Sequence, residues 1–246
     1  MNLYKFTALH AGALLCRSKS SKVIYYHDIH IPEKQYTVMS TSFRLFESHV
    51  AVIRGSGYKF VNTILSEQGQ VQVCFDDGFR GIYDNRKYFI EQNIYPTVFL
   101  AVSLIGTLGY LSRDEIVELK QTGFRFQSHA WSHVDLTLFD DQALEYELKA
   151  SKTYIEELLK DSVTEICFPL GYFSERVYNA CKNAGYLLMY SSIPGDYFSR
   201  ERECLIPRQL LQYYTAREVK AVLHGGLQLF RQRFTRVHYV ACDVNR

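Results

Sequence analysis

Asp76 and Asp77 are the first residues in this chain that invite a chemical reading. They stand side by side in VQVCFDDGF, residues 71–79. Val71, Val73 and Phe75 alternate with Gln72 and Cys74, which predicts a strand with one buried face. That strand delivers both carboxylates at its carboxyl end, where reacting groups collect in β/α folds. Two adjacent like charges repel, and a divalent cation on one of them relieves the repulsion while leaving the other free as a base. Asp-Asp-Gly is also ordinary turn chemistry, and taken alone the pair favours a solvated turn. Further along, SHAWSH (128–133) sets His129 and His133 four residues apart. That spacing puts two imidazoles on one side of a helical turn, within reach of one ion. Histidine pairs are common on surfaces and in cores as well. One carboxylate and two histidines together make a set with coordination positions left open, which suits activation of water better than a closed structural site.

The elements that must position these groups alternate along the chain. Residues 3–18 have apolar positions at helical spacing, and VIYY (23–26) is a strand ending at His27-Asp28. His27 is a candidate proton donor or a simple strand-end residue; His30 has no support for a role. Residues 42–57 predict an amphipathic helix stopped by Gly-Ser-Gly, 58–62 a short strand, and 64–68 a small helix or turn. Helices are expected at 81–92, 112–121, 140–159 and 217–225, and strands at 97–102, 124–127, 165–168 and 185–192. Asp114 and Glu115 in the first turn of the 112–121 segment mark a helix start. Such alternation, with short connections and no low-complexity linker, argues for one barrel-like parallel domain over residues 1–246. Residues 1–20 carry the N-terminal helix, and the tail at 228–246, basic and then apolar, has no assignable place.

The chain's 246 residues fit one large α/β domain as well as two small ones, and 47% hydrophobic content allows a substantial core. The 19 tyrosines and 16 phenylalanines supply rings for sugar platforms, although core packing claims most such rings. A net charge of +2 gives no sign of the basic patch that nucleic-acid binding requires. The six cysteines, at 16, 74, 167, 181, 204 and 242, lack CxxC or CxH spacing. They read as free buried thiols of a reducing compartment. The N-terminus has no basic n-region or small-residue cleavage site, and no apolar run approaches the roughly 18 residues of a membrane helix. A cytoplasmic location is expected.

CFDDGF, HAWSH and the Pro169-Leu170-Gly171 loop, in that order, resemble the polysaccharide deacetylases, the NodB-homology family of carbohydrate esterases. The resemblance runs from about residue 23 to about 225. YYHDI (25–29) is similar to the opening strand of the poly-N-acetylglucosamine deacetylases, in which motif order is permuted. The resemblance implies an α/β fold, a distorted (β/α) barrel of seven strands. It implies a metal held by Asp77, His129 and His133, zinc first, with cobalt, nickel or manganese as alternatives. Asp76 then corresponds to the general base and His27 to the acid. The Leu170 amide, flanked by Pro169 and Gly171, corresponds to the oxyanion donor. Trp131 lines a sugar cleft or packs under the metal loop. The implied reaction is hydrolysis of the N-acetyl group of an N-acetylhexosamine in a polysaccharide or glycan precursor. O-acetyl esters or a cyclic amide are alternative substrates, and a non-catalytic carbohydrate-binding protein is the third reading. Three departures stand out. Cys167 occupies the place of the arginine that orients the base, and Arg208 in LIPR is either its substitute or a surface residue. Leu170 replaces an aromatic. The family's C-terminal LxH histidine has no match, His224 reading instead as part of a helix end.

Overall fold

A computed structural model describes residues 3–200 and 202–241. The strands are β1 (Lys22–Tyr26), β2 (Asp28–His30), β3 (Ser40–Ser42), β4 (Lys59–Phe60), β5 (Gln70–Phe75), β6 (Thr97–Leu100), β7 (Arg125–Ser128), β8 (Glu165–Cys167), β9 (Leu188–Tyr190), β10 (Leu205–Ile206) and β11 (Arg208–Leu210). The helices are α1 (Leu3–Leu15), α2 (Phe43–Gly55), α3 (Gly81–Asp84), α4 (Arg86–Glu91), α5 (Arg113–Gln121), α6 (Asp141–Leu159), α7 (Glu175–Asn183), α8 (Ala216–Leu223) and α9 (Arg231–His238). β2 and β3 form a separate parallel pair.

The main sheet is parallel throughout and runs β10-β9-β8-β7-β6-β5-β1-β11, with β4 beside β5. Its two end strands are separated in the chain by Pro207 alone. Proline has no N–H for the ladder, so it interrupts one stave without ending it. The sheet therefore curls until its ends meet, and β10 and β11 are two halves of the seventh stave after β1, β5, β6, β7, β8 and β9.

Side chains alternate across such a wall. Val23, Tyr25, Cys74, Phe99, Cys167, Tyr190 and Ile206, drawn from six staves, meet in one interior cluster. Their neighbours Ile24, Tyr26, Val73, Phe75, Val98 and Leu100 face outward into the larger core beneath the helices. This corrects the single buried face expected for 71–75: Gln72 and Cys74 are buried too, because β5 is a central parallel strand covered on both sides. The buried Gln72 amide donates to Thr97 Oγ1 at 3.2 Å.

Several elements differ from expectation. The helix expected at 81–92 is two short ones, broken at Asn85 (φ −102°, ψ 12°), whose amide donates to the Gly81 carbonyl at 2.8 Å. Residues 64–68 form bends joined to Ser20 through a bridge at Gln68. α7 and the two half-strands around Pro207 were not anticipated. α1 packs on α8 and on the turn at Gln228–Phe230. The part of the tail that is described adds α9 and a bridge from Tyr239 to Phe173; residues 242–246 lie outside the described residues. α5 begins with the reciprocal Ser112–Glu115 capping box that its acidic first turn implied. Cys16, Cys74, Cys167, Cys181 and Cys204 are free thiols, and Cys242 lies outside the described residues. Among the described residues, no helix is long and apolar enough to cross a membrane.

Candidate metal centre and active site

The site assembles where β1, β5, β7 and β8 end and where β11 begins. β5 delivers Asp76, whose backbone N–H donates to the Tyr26 carbonyl at 3.0 Å. Asp77 follows with φ 71°, spanned by a hydrogen bond from Gly78 N–H to the Asp76 carbonyl (2.9 Å). An i to i+2 bond around a positive-φ residue is a γ-turn of the strained hand. It turns the two adjacent carboxylates in different directions. Gly78 also has positive φ (84°), and a Cβ there would come within 2.8 Å of Leu100 Cδ2.

Asp77 Oδ1 lies 3.2 Å from His129 Nε2 and 2.9 Å from His133 Nε2. The two histidines do not sit on a helical turn, contrary to the expectation from their spacing. They converge because Ala130 (φ 60°) and His133 (φ 61°) fold the loop back on itself. Glu147 of α6, itself buried, pins that loop by accepting from the backbone N–H groups of Trp131 and Ser132, both at 2.9 Å. Ser103 N–H donates to the Trp131 carbonyl at 2.9 Å from the other side. The Trp131 ring packs against Tyr146 and Tyr154 of α6, at centroid distances of 5.9 Å in both cases.

These residues fit a metal ion. His129 Nδ1 donates to the Cys167 carbonyl at 2.8 Å, which leaves a lone pair on Nε2 directed at Asp77. Asp77 Oδ1 is buried and has no hydrogen-bond partner of acceptable geometry, despite the two nitrogens beside it. Three ligand atoms within 4.8 Å of one another, one oxygen and two imidazole nitrogens, form the donor set of an open cation site. Burial alone would raise the Asp77 carboxyl, but hydrogen bonds and charge from the two imidazoles in their protonated form outweigh it and hold it well below the usual carboxylate range.

Asp76 is held differently. Arg208 is buried, with 1% of its surface exposed, and is not a surface residue. Its guanidinium grips Asp76 with Nη1 to Oδ1 at 2.6 Å and Nη2 to Oδ2 at 2.8 Å. Nε donates to the Ser191 carbonyl at 3.0 Å, and the group lies over the Tyr25 ring, 4.0 Å from its centroid. The guanidinium that holds Asp76 thus comes from the start of β11 and not from position 167. Burial pushes the Asp76 carboxyl up, but the Arg208 charge and hydrogen bonds prevail, with smaller contributions from His129 and His27, and lower it. The matching direction appears on Arg208, which is raised well above its ordinary value by Asp76 against the effect of burial. Asp76, His129 and Cys167 also lie close enough to suggest a second ion site. Arg208 fills that space with positive charge, its Nη2 2.9 Å from Cys167 Sγ, and disfavours a cation there.

His27 stands at the end of β1, half-buried, and its charge acts on both aspartates. Its Nδ1 and backbone N–H both donate to Gln212 Oε1, at 2.7 and 3.3 Å. That fixes the ring and leaves Nε2 available. His30 bonds Ser40 Oγ at 2.9 Å, and His224 caps the end of α8. In the loop after β8, Leu170 has φ 58° and is 55% exposed. Gly171 (φ 77°) admits no side chain, since a Cβ would meet Ser192 Oγ at 2.6 Å and His238 Nδ1 at 2.8 Å.

Residues 66–189, just over half of the chain, match the polysaccharide deacetylase family. The chain belongs to that family. This polysaccharide deacetylase family member is 23% identical over 190 residues to the protein YxkH of Bacillus subtilis (strain 168), covering 70% of this chain and 64% of YxkH. Among solved structures, the Streptococcus pyogenes deacetylase PplD in complex with acetate has a TM-score of 0.73 at 20% identity, over 83% of this chain and 98% of that one. IcaB from Ammonifex degensii has a TM-score of 0.71 at 18% identity, over 85% of this chain and 98% of that one. At such identities the likeness shows a shared α/β fold.

Two residues of the site escaped the sequence reading. Glu147 sits on the buried stripe of α6 with Leu144, Leu148, Ser151 and Ile155. A carboxylate on an apolar stripe is a signal that periodicity can give. Gln212 gave no such signal.

Proposed function

We propose that the protein is a metal-dependent hydrolase that removes the acetyl group from an N-acetylhexosamine in a polysaccharide or glycan precursor. The observation that supports it best is the divergence of the paired aspartates: Asp77 Oδ1 lies between two imidazole nitrogens without a hydrogen bond of acceptable geometry, whereas Asp76 lies in the Arg208 grip. Asp77, His129 and His133 would hold a divalent cation, zinc before cobalt, nickel or manganese. When bound, such an ion supplies Lewis acidity toward a carbonyl and toward water.

The chain's own groups do the rest. Asp76 Oδ2 accepts from both Arg208 and Cys167 Sγ (3.6 Å), which leaves Oδ1 the oxygen with a lone pair to take the proton of the attacking water. The Leu170 backbone N–H would donate to the oxyanion that forms at the acetyl carbon. His27, oriented by Gln212, carries on Nε2 the proton that the leaving amine nitrogen takes up. Each such proton transfer contributes on the order of 10²–10⁴ in rate.

The test is bound-metal analysis combined with acetate release from N-acetylated and O-acetylated oligosaccharides. Asp77→Ala is expected to lose both metal and turnover. Asp76→Asn keeps the metal and loses turnover by about 10²–10⁴. Full activity in Asp76→Asn removes the assigned base. Release from O-acetyl substrates alone moves the reaction to esters, and no release from either leaves a carbohydrate-binding protein.

A further inference from the structure

Two cavities adjoin beside the barrel mouth. The first, of about 400 Å³, reaches Arg208 and is walled by Ser192, Pro194, Leu210 and Tyr213. The second, of about 240 Å³, lies between α1 and α9 and is lined by Leu9, Phe230 and Val237. Tyr214, Leu227 and Phe234 line both, so the second continues from the first. Only Arg233 and His238 bring charge or an imidazole to the second cavity.

A sugar ring is a poor occupant of the second cavity, whose walls are mostly apolar. Its hydroxyls would leave water without enough partners, and an unsatisfied buried hydroxyl is costly. A hydrocarbon chain loses nothing there and gains about fourfold in binding for each methylene buried. Arg233 is exposed and makes no ion pair among the described residues, which leaves its charge for an anionic group at the cavity. α1 also exposes Leu14 and Leu15 beside Arg17, Arg217 and Lys220, an apolar and basic face suited to an anionic lipid surface.

Building on the deacetylase reading above, we infer that the substrate is amphiphilic: an acetylated sugar joined through a phosphate to a lipid chain. The sugar occupies the cavity at Arg208, the phosphate meets Arg233, and the start of the chain enters the cavity between α1 and α9.

The metal-loaded protein is assayed on N-acetylglucosaminyl phosphate esters with methyl, butyl, octyl and decyl chains. KM is expected to fall about fourfold per methylene until the cavity is full. Val237→Trp, which fills the cavity from a half-exposed position, is expected to flatten that slope while the variant still melts cooperatively. Arg233→Gln narrows the preference for phosphate esters over neutral glycosides by up to about fivefold. Equal KM from methyl to decyl overturns the inference, as does a slope that survives Val237→Trp. A chain ending at Ala241 tests the protein's own tail as occupant: a slope seen only after that truncation overturns the inference. Calorimetry of decyl phosphate with Asp76→Asn separates this inference from the reaction itself. Binding without acetate release from any ester sinks the deacetylase reading and leaves the lipid cavity standing, whereas release without chain dependence or decyl phosphate binding does the reverse.

Discussion

Arg208→Met removes the guanidinium from Asp76 while keeping a side chain of similar length over Tyr25. A buried carboxylate left without its partner costs about 3–5 kcal/mol. In a chain of this size each kcal/mol is worth about 2–4 °C, so the variant is expected to melt roughly 6–20 °C below the parent at neutral pH. In the parent, Asp76 has a lowered folded-state pKa. It therefore adds stability above the unfolded value of about 3.9, lost as pH falls through the folded value. Without Arg208, burial dominates and the sign reverses: ionisation costs the folded state stability as pH rises above about 4. The gap between parent and variant should therefore be small in acid and widen toward pH 7, as thermal unfolding by circular dichroism from pH 3 to 8 will show. The acid limb of kcat/KM should move to higher pH in the same variant, because the base is harder to ionise. Asp76→Asn combined with Arg208→Met should recover part of the stability, since no charge is stranded. A variant that melts within about 2 °C of the parent at pH 7, with an unmoved acid limb, would refute this account of the base.

Glu147→Ala frees the Trp131 and Ser132 N–H groups, and metal affinity in a chelator competition is expected to fall about 10–100-fold. Glu147→Gln keeps an acceptor oxygen and should retain most of that affinity; equal affinity in all three proteins would remove the positioning role. His27→Ala should keep its metal and lose about 10²–10⁴ in kcat, with Gln212→Leu lowering kcat by less because the ring is free to turn; an unchanged rate in His27→Ala moves the acid elsewhere. His49 is buried between Tyr26 Oη (2.9 Å) and the Tyr214 carbonyl (2.7 Å), and burial lowers its pKa to about 4. Because the unfolded chain takes up a proton near pH 6.5 and the folded one does not, stability should drop by roughly 3 kcal/mol as pH falls from 6.5 toward 4. His49→Gln should lose that component of the acid slope in urea titrations, and an unchanged slope would disprove it.

The candidate site residues were legible because they are local. FDDG and HAWSH are short strings whose meaning depends on type and order, and the strands that deliver them are periodic enough to read. The geometry within them was not legible. The divergence of Asp76 and Asp77, and the convergence of His129 and His133, depend on positive φ at Asp77, Ala130 and His133. None of these is a glycine, so no sequence pattern announces them. Arg208 lies 132 residues from Asp76 in the chain, and the two meet only through the curvature that joins the two edges of the sheet. α9 and the tail were unplaced because their apolar side chains face a cavity and so show no continuous stripe.

Arg208, which holds Asp76, follows directly on Pro207, at the seam where the barrel shuts. A nascent chain can present every cation ligand long before that point is synthesised, yet its Asp76 would have no counter-charge. On the function proposed above, hydrolytic competence arrives together with ring closure, and a ribosome paused before β11 would display an inert intermediate that already carries both signature motifs.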